Sequence, residues 1–470
     1  WRDNGVNIPG ATQATYTKVV ATTDAGTYDV VVTNGLGQSV TSNPAVLSVA
    51  AASQGSGNQG SGTGGTGTGS SGSGSSANND PSQGFNYDIY PGFVGIQLRN
   101  TTNGKWSDDQ IYVEVIAKDP ATQQYAWIDP AGDIAPITVA DNTATGHLTK
   151  NGNPYPNYAF TLAQTKLLKL PKSFAGRIFI SFGQPLYMAN NVAADGSVGF
   201  AGPSLTNPTD PNINTYYDWY EYTWADNGMW INTTQVDQFS FPLVVDLYGD
   251  NKTTHQTAGI TESRSQIFTE YNQEVGPEFQ IPNLGDSSLR IPAPNDDAFQ
   301  ASGSQAHYFD PYIDEVWQYY TTHNLHMTMG AMQFDGNVVN GVLTLTHTNW
   351  ADTKQPNEEQ GRLYQIQKPA SVDVFGGEGH LADGTDPWGI VEQLEAQMAG
   401  AFNRHVMEDV TTWNDDTQYY LQAPTNYYAK FWHKHNIGGN AYGFSYDDVA
   451  NHSSSLQSTQ PEHVELSIGW

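Results

Sequence analysis

The stretch Trp219-Tyr-Glu-Tyr-Thr-Trp-Ala-Asp-Asn-Gly-Met-Trp-Ile-Asn-Thr-Thr-Gln-Val-Asp-Gln-Phe-Ser-Phe-Pro-Leu243 decides how this chain is read. Tyr222, Trp224, Met229 and Ile231 flank Asp226-Asn227-Gly228, a turn sequence that favours a hairpin because Asn and Gly tolerate positive φ. Two carboxylates sit on its arms, Glu221 before the turn and Asp237 after it, among Trp219, Tyr220, Trp224 and Trp230, whose flat apolar faces suit stacking on a sugar ring. Asn232, Thr233, Thr234 and Gln235 follow, able to hydrogen-bond hydroxyls. Two carboxylates within aromatic walls are the minimum needed to cleave a glycosidic bond. With a three-residue loop, Glu221 pairs Thr233. Asp237 then falls on the same face about 13 Å further along, so a bulge or strong twist must shorten the gap.

Outward from this hairpin the pattern is β-rich. Residues 92–99, 110–117, 158–162 and 177–182 alternate or run apolar between turn residues, and 241–248 reads as a buried strand. Helical signals come later. Residues 262–271 place Ile267 and Tyr271 one turn apart, and Asp310-Pro311 reads as N-cap and N1 of a helix carrying Ile313, Val316, Trp317 and Tyr320. Asp386-Pro387 opens the longest candidate, through Ile390, Leu394, Met398, Phe402 and His405. Residues 333–334 and 341–346 return to strand. The expected fold is mainly β, followed by a mixed α/β portion.

The first 52 residues read as short strands at 14–20, 26–32, 37–41 and 45–49. Asp24-Ala25-Gly26-Thr27-Tyr28 resembles the tyrosine corner of immunoglobulin-like domains, Trp1 the buried Trp of that fold, and Val30 stands where antibody domains carry a cysteine. A partial immunoglobulin-like domain, cut before its first strands, is the expectation for 1–52. Residues 53–83 are almost wholly small and polar, a flexible linker spanning roughly 30 Å for about thirty residues. Residues 84–470 then form the main domain.

Composition narrows the partners. The chain has 470 residues and net charge −29 with 19 basic residues, so nucleic acid and anionic membrane are disfavoured while a neutral ligand is not. It has 12 Trp, 26 Tyr and no Cys, which excludes disulfides and thiolate metal sites. No apolar run reaches the roughly eighteen residues of a membrane span.

Several separated segments of residues 84–470 carry a resemblance. They are Glu221-Tyr-Thr-Trp224, Asn232-Thr-Thr-Gln-Val-Asp-Gln-Phe239 with Pro242-Leu243, Tyr308-Phe-Asp-Pro-Tyr-Ile-Asp-Glu-Val-Trp317, Asp373-Val-Phe-Gly376, Ala401-Phe-Asn-Arg404 and Tyr446-Asp-Asp448. In these the chain is similar to glycoside hydrolase family 64, β-1,3-glucanases whose fold is related to thaumatin-like proteins. The resemblance implies a β-barrel or sandwich domain plus an α/β domain enclosing a wide groove. It implies inverting hydrolysis of β-1,3-glucan, often releasing laminaripentaose, with Glu221 as general acid and Asp237 as general base. Thr223, Trp230 and Thr234 fall where the family contacts glucose, and Trp219 and Asn232 lie beside them. Ala225 departs from the family, which carries a polar contact there. An acid flanked by Trp219, Tyr220 and Tyr222 is expected to have a raised pKa, and Asp237 to stay ionised.

These features point to a secreted, monomeric β-1,3-glucanase with no metal or organic cofactor. A non-catalytic glucan-binding protein on the same fold is the competing class, and a glucanase for another neutral β-glucan a third reading. Other residues read as structural. Asp314 and Glu315 suit the helix dipole, Asp447-Asp448 and Arg404 support the groove, and Gly376-Gly377-Glu378-Gly379 forms a turn. His433-Lys434-His435, read as a strand, lacks a third metal ligand nearby. No Gly-x-Ser-x-Gly elbow is present.

Overall fold

The computed structural model describes residues 1–9, 11–12, 26–33, 39–42, 45–47, 87–349 and 362–470. Contacts divide the chain into two compact units, Trp1–Ser75 and Ser76–Trp470. In the first, strands Val6–Asn7, Arg2–Asp3, Gly26–Asp29 and Ala45–Leu47 form one antiparallel sheet, and Val31–Thr33 pairs with Ser39–Thr41. Arg2 pairs Asp29 across that sheet through Nε and Nη2, at 2.5 and 2.7 Å, and the Tyr28 hydroxyl donates to Asp3 at 3.2 Å. Trp1 is half-buried. The expected strand at 14–20 and the linker at 53–83 lie outside the described residues.

The second unit is built on two sheets packed face to face. The larger runs Ile134–Pro136, Tyr125–Ile128, Ile111–Lys118, Ser173–Phe182, Tyr216–Ala225, Gly228–Thr233, Leu456–Ser458, with Phe160–Thr161 also pairing Ile111–Lys118. The smaller runs Leu167–Leu170, Val94–Thr101, Pro461–Gly469, Leu243–Gly249, Thr254–Gly259. Alternation assigns the faces. Val113, Val115, Ile178, Ile180, Tyr220, Tyr222, Met229 and Ile231 meet Ile96, Leu98, Val245, Leu247, Val464 and Leu466 in one core. Both sheets are open paths among the described residues, so this is a sandwich and not the barrel that was the other expectation. The final strand, Pro461–Gly469, lies parallel to Val94–Thr101, so the two ends of the unit are paired with each other.

The outer face of the large sheet is also covered. Ile116, Phe179, Tyr217 and Trp219 form a second buried cluster there. The mixed portion comprises an antiparallel meander of Leu325–Met329, Met332–Val339, Val342–His347 and Leu363–Ile366, with five helices among the described residues. These are α1 (Arg264–Glu274), α2 (Asp310–Tyr319), α3 (Ser371–Gly376), α4 (Ile390–Arg404) and α5 (Tyr427–His435). Phe309, Val316, Leu325, Phe334, Leu394, Phe402 and Trp432 share their core.

Three local expectations need correction. Asp310 is the first residue of α2 and not its cap, its carboxylate bonded to Ser371 at 2.6 Å. α4 starts at Ile390, not at Pro387. Asp386 nevertheless caps it from a distance, accepting the N–H groups of Ile390 and Val391 at 2.8 Å each. Residues 433–435 end helix α5, because the aromatic and apolar residues of 427–435 recur at helical and not alternate spacing. Among the described residues no helix is long and apolar enough to cross a membrane.

Candidate active site

The hairpin forms, with a tighter turn than expected. Ala225 pairs Gly228, so Asp226 and Asn227 alone make the loop, and Glu221 faces Asn232 instead of Thr233. Gly228 takes φ 130° and brings its backbone so close to Ser458 that an added Cβ would lie 2.6 Å from that carbonyl oxygen. Glu221, Thr223, Trp230 and Asn232 consequently share the outer face of the large sheet.

A fifth residue completes this face. Strand Ser173–Phe182 lies beside Tyr216–Ala225 with Arg177 directly opposite Glu221. Between Ser173 and Gly176 the register slips, Phe174 and Ala175 standing against Thr223 alone, a bulge that re-aims the residues after it. Gly176 is required there, since a Cβ would sit 2.3 Å from the Tyr222 ring. Arg177 Nη2 lies 3.1 Å from Glu221 Oε1 and 3.9 Å from Asp237 Oδ2. Through that one nitrogen the two carboxylate oxygens are no more than 7.0 Å apart, the sum of the two legs. The 13 Å separation of a regular hairpin is therefore removed.

The shortening comes from the chain after Thr233, which leaves the sheet and bends back over its face. Val236 N–H donates to Thr234 Oγ1 at 3.2 Å, and Gln235 N–H donates to the Tyr442 carbonyl at 2.8 Å. The Tyr428 hydroxyl of α5 donates to the Gln235 carbonyl at 2.6 Å. Past the bend, Gln238 Nε2 donates to the Tyr217 carbonyl at 2.6 Å, and Ser240 N–H donates to buried Asp218 at 2.8 Å. The Asp237 carbonyl itself accepts Ala293 N–H at 2.9 Å. The strand of Glu221 and the segment of Asp237 are thus tied together at several points.

Burial raises the Asp237 carboxyl above its ordinary range, with the Arg177 charge pulling it down and Glu221 pushing it up. The expected raised carboxyl was Glu221, and the expected freely ionised one Asp237. Its side chain keeps 37% of its surface open, so this is partial desolvation and not burial in a sealed core. Asp296, in the turn after Ala293, is also raised, to about 6, by burial and by the charges of Asp237 and Glu378.

The groove has a volume of about 540 Å³, with Arg177, Glu221, Thr223, Trp230, Asn232 and Tyr442 among its lining residues. Trp230 is half-buried and presents part of its ring. Asn232 Oδ1 is buried with no hydrogen-bond partner among the described residues, an acceptor that a hydroxyl can satisfy. Thr223 Oγ1 accepts Ala175 N–H at 3.3 Å and so also secures the bulge.

Two expected contacts are placed differently. Trp219 is 5% exposed, so it offers no open stacking face. Its ring carries the Arg177 guanidinium 4.7 Å from its centroid, and its Nε1–H donates to Glu221 at 3.2 Å. It therefore orients the charged pair. Thr234 is 3% exposed and its hydroxyl serves the bend. Arg404 and Asp447 are a buried pair at 3.0 Å, with His433 also 2.9 Å from Asp447, as the structural reading expected. Arg177, Tyr442 and Asp296 were missed. Arg177 lay within an expected strand, but which strand it would neighbour is not written in local sequence.

Comparison with known proteins gives the family. The sequence profile of glycoside hydrolase family 64, described as β-1,3-glucanase, matches residues 92–468. A glucan endo-1,3-beta-glucosidase of Arthrobacter sp. strain YCWD3 is 28% identical over 312 residues, covering 65% of this chain and 54% of that relative. One from Cellulosimicrobium cellulans matches to the same extent. The chain thus spans about half the length of these curated relatives. The crystal structure of a β-1,3-glucanase domain from Clostridium beijerinckii is 38% identical with a TM-score of 0.75, covering 82% of this chain and 100% of that one. A laminaripentaose-producing β-1,3-glucanase from Paenibacillus barengoltzii, complexed with laminarihexaose, is 33% identical with a TM-score of 0.62, covering 81% and 75%. From Gly92 to Ile468, this chain belongs to glycoside hydrolase family 64, the β-1,3-glucanases.

Proposed function

We propose that this chain hydrolyses β-1,3-glucan in a single inverting step, Glu221 protonating the leaving oxygen and Asp237 activating water. The observation that carries this is the single Arg177 nitrogen lying 3.1 Å from Glu221 and 3.9 Å from Asp237, which keeps the two carboxylates within 7.0 Å of each other beside a groove lined by Arg177, Glu221, Trp230 and Tyr442. That ceiling admits the lower end of the inverting range, about 6.5 Å, and the retaining spacing of about 5–5.5 Å as well, so inversion rests on the family resemblance. The family relatives supply the substrate class. Trp230 would stack on a glucose ring, while Thr223 and Asn232 would meet hydroxyls. The neutral polysaccharide escapes the repulsion that a net charge of −29 imposes on anionic partners. Short laminari-oligosaccharides such as the pentaose are the proposed products, and a secreted monomer the proposed form.

The raised Asp237 carboxyl gives the reversed assignment, Asp237 as acid, one observation in its favour. An aryl laminarioside separates the two, because its leaving group needs little protonation. With the roles proposed, Glu221→Gln keeps most of its rate on the aryl substrate and Asp237→Asn does not; the opposite pattern reverses them. A panel of laminarin, curdlan, lichenan and cellulose tests the substrate. Activity confined to the first two is expected, and equal activity on lichenan would contradict the linkage. A wild type that binds curdlan without cutting it would make this a binding protein.

A further inference from the structure

The C-terminal end of α5 gathers ionisable groups that the proposed hydrolysis does not use. His435 closes the helix with its side chain 3% exposed, Nδ1 lying 2.9 Å from Glu262 Oε2 and 3.8 Å from Glu270 Oε2. Its other nitrogen, Nε2, lies 3.2 Å from Glu274 Oε2. Glu262 comes from the segment before α1, Glu270 and Glu274 from successive turns of α1. One ligand atom each from Glu262, Glu270 and His435 falls within a common span of 4.8 Å. The segment His433-Lys434-His435 is helical and not the expected strand, so its two histidines part. The helix sends His433 to Asp447 and His435 to the glutamates.

Three features favour a bound cation. Ligand separations of 2.9 and 3.8 Å bracket the roughly 3.4 Å edge of a tetrahedron with bonds of about 2.1 Å. Two of the three ligands also have an outer partner. Nε2–H donating to Glu274 turns the Nδ1 lone pair toward Glu262 and Glu270, and Glu274 is itself paired with Lys434. Gln266 donates to Glu270 Oε1 at 3.2 Å, leaving Oε2 free to face the imidazole. Charge is the third feature. Three carboxylates against Lys434 and even a protonated imidazole leave an excess negative charge at the negative end of a helix dipole. A divalent ion on a neutral imidazole balances them.

We propose that Glu262, Glu270 and His435 bind a divalent transition ion of the zinc class, with Glu274 holding the imidazole tautomer. One nitrogen and two carboxylate oxygens, completed by water, are a zinc-type donor set and not the all-oxygen cage of calcium. The ion ties α5 to α1. α5 carries Tyr428, and its cap Asn436 lies 3.4 Å from Gln235, so the ion braces the bend that delivers Asp237. The site goes beyond the hydrolysis reading and does not depend on it.

The test uses the full chain stripped with a chelator and titrated with Zn²⁺ alone by calorimetry, with thermal midpoints alongside. One ion per chain should bind saturably and raise the midpoint. Glu262→Gln/Glu270→Gln changes half-exposed side chains, so the fold should survive; binding should weaken at least tenfold and the midpoint should stop responding to zinc. Co²⁺ should give visible absorption of a four- or five-coordinate site in the wild type and lose it in the variant. Absence of saturable binding to the wild type, or unchanged affinity in the double variant, overturns the proposal and leaves the glutamates as a clamp on protonated His435.

Discussion

The Arg177 guanidinium favours the ionised form of Asp237, while burial and the charge of Glu221 oppose it. Removing that cation should therefore raise the Asp237 carboxyl further. If Asp237 must be ionised to activate water, Arg177→Met moves the acidic limb of the kcat/KM profile up by about one pH unit. Arg177→Lys keeps the charge and should leave the limb nearer its original place, although the planar stacking on Trp219 is lost. A limb that stays put in Arg177→Met would reduce Arg177 to packing. At this scale the sequence was legible where chemistry concentrates locally: Glu221 and Asp237 stand out among aromatics within one motif. It was not legible where a second layer decides. Alternation puts Trp219 on the outer face with Glu221, but not that Arg177 and Phe179 cover its ring.

The element that aims Arg177 is the bulge of strand Ser173–Phe182. Gly176→Ala would drive a Cβ into the Tyr222 ring, whose hydroxyl is bonded to Ser173 at 2.9 Å. Overpacking of this kind costs about 1–3 kcal/mol. Denaturant unfolding should show that loss, and turnover should fall by more than the folded fraction does, because the residue beside it is displaced. Unchanged stability and turnover would mean that the sheet yields freely and that the bulge does not aim the arginine. Bulges leave little trace in an apolar pattern, which explains why 177–182 was expected as a strand without its irregular start. Helices were more legible. α2 and α4 announced themselves through apolar spacing with Asp-Pro nearby, even though Asp386 caps α4 from four residues before its start. α5 was missed because its aromatic-rich sequence suits either a strand or a buried helix.

Across the whole molecule, buried carboxylic acids set how stability follows pH. Burial raises Glu114 from 4.5 to about 8 and Asp218 from 3.8 to about 8. The folded protein keeps those protons while the unfolded chain releases them, so stability should fall as pH rises from about 4.5 to about 8 and level off beyond. Glu465, held at about 2, works the other way and loses its contribution only in stronger acid. Thermal midpoints between pH 5 and 8 check the sign, and Glu114→Gln, which can still accept the Leu186 N–H, should flatten the slope. A wild-type midpoint independent of pH across that window would contradict it. The β portion and the α/β portion after it were readable from periodicity, but not the return of the chain to both sheets through Leu456–Ser458 and Pro461–Gly469. The parallel pairing of Pro461–Gly469 with Val94–Thr101 was not readable either, since nothing local records a contact between the two ends of the unit.

The stereochemistry of the cut tests the central claim most directly. Laminarin is digested by the wild type beside Glu221→Gln and Asp237→Asn, and the first-formed anomer is read by proton NMR. Release of the α-anomer by the wild type, with both variants folded and nearly inert on laminarin, is the predicted result. First release of the β-anomer, or a variant that retains wild-type activity on laminarin, would contradict one-step inversion by this carboxylate pair.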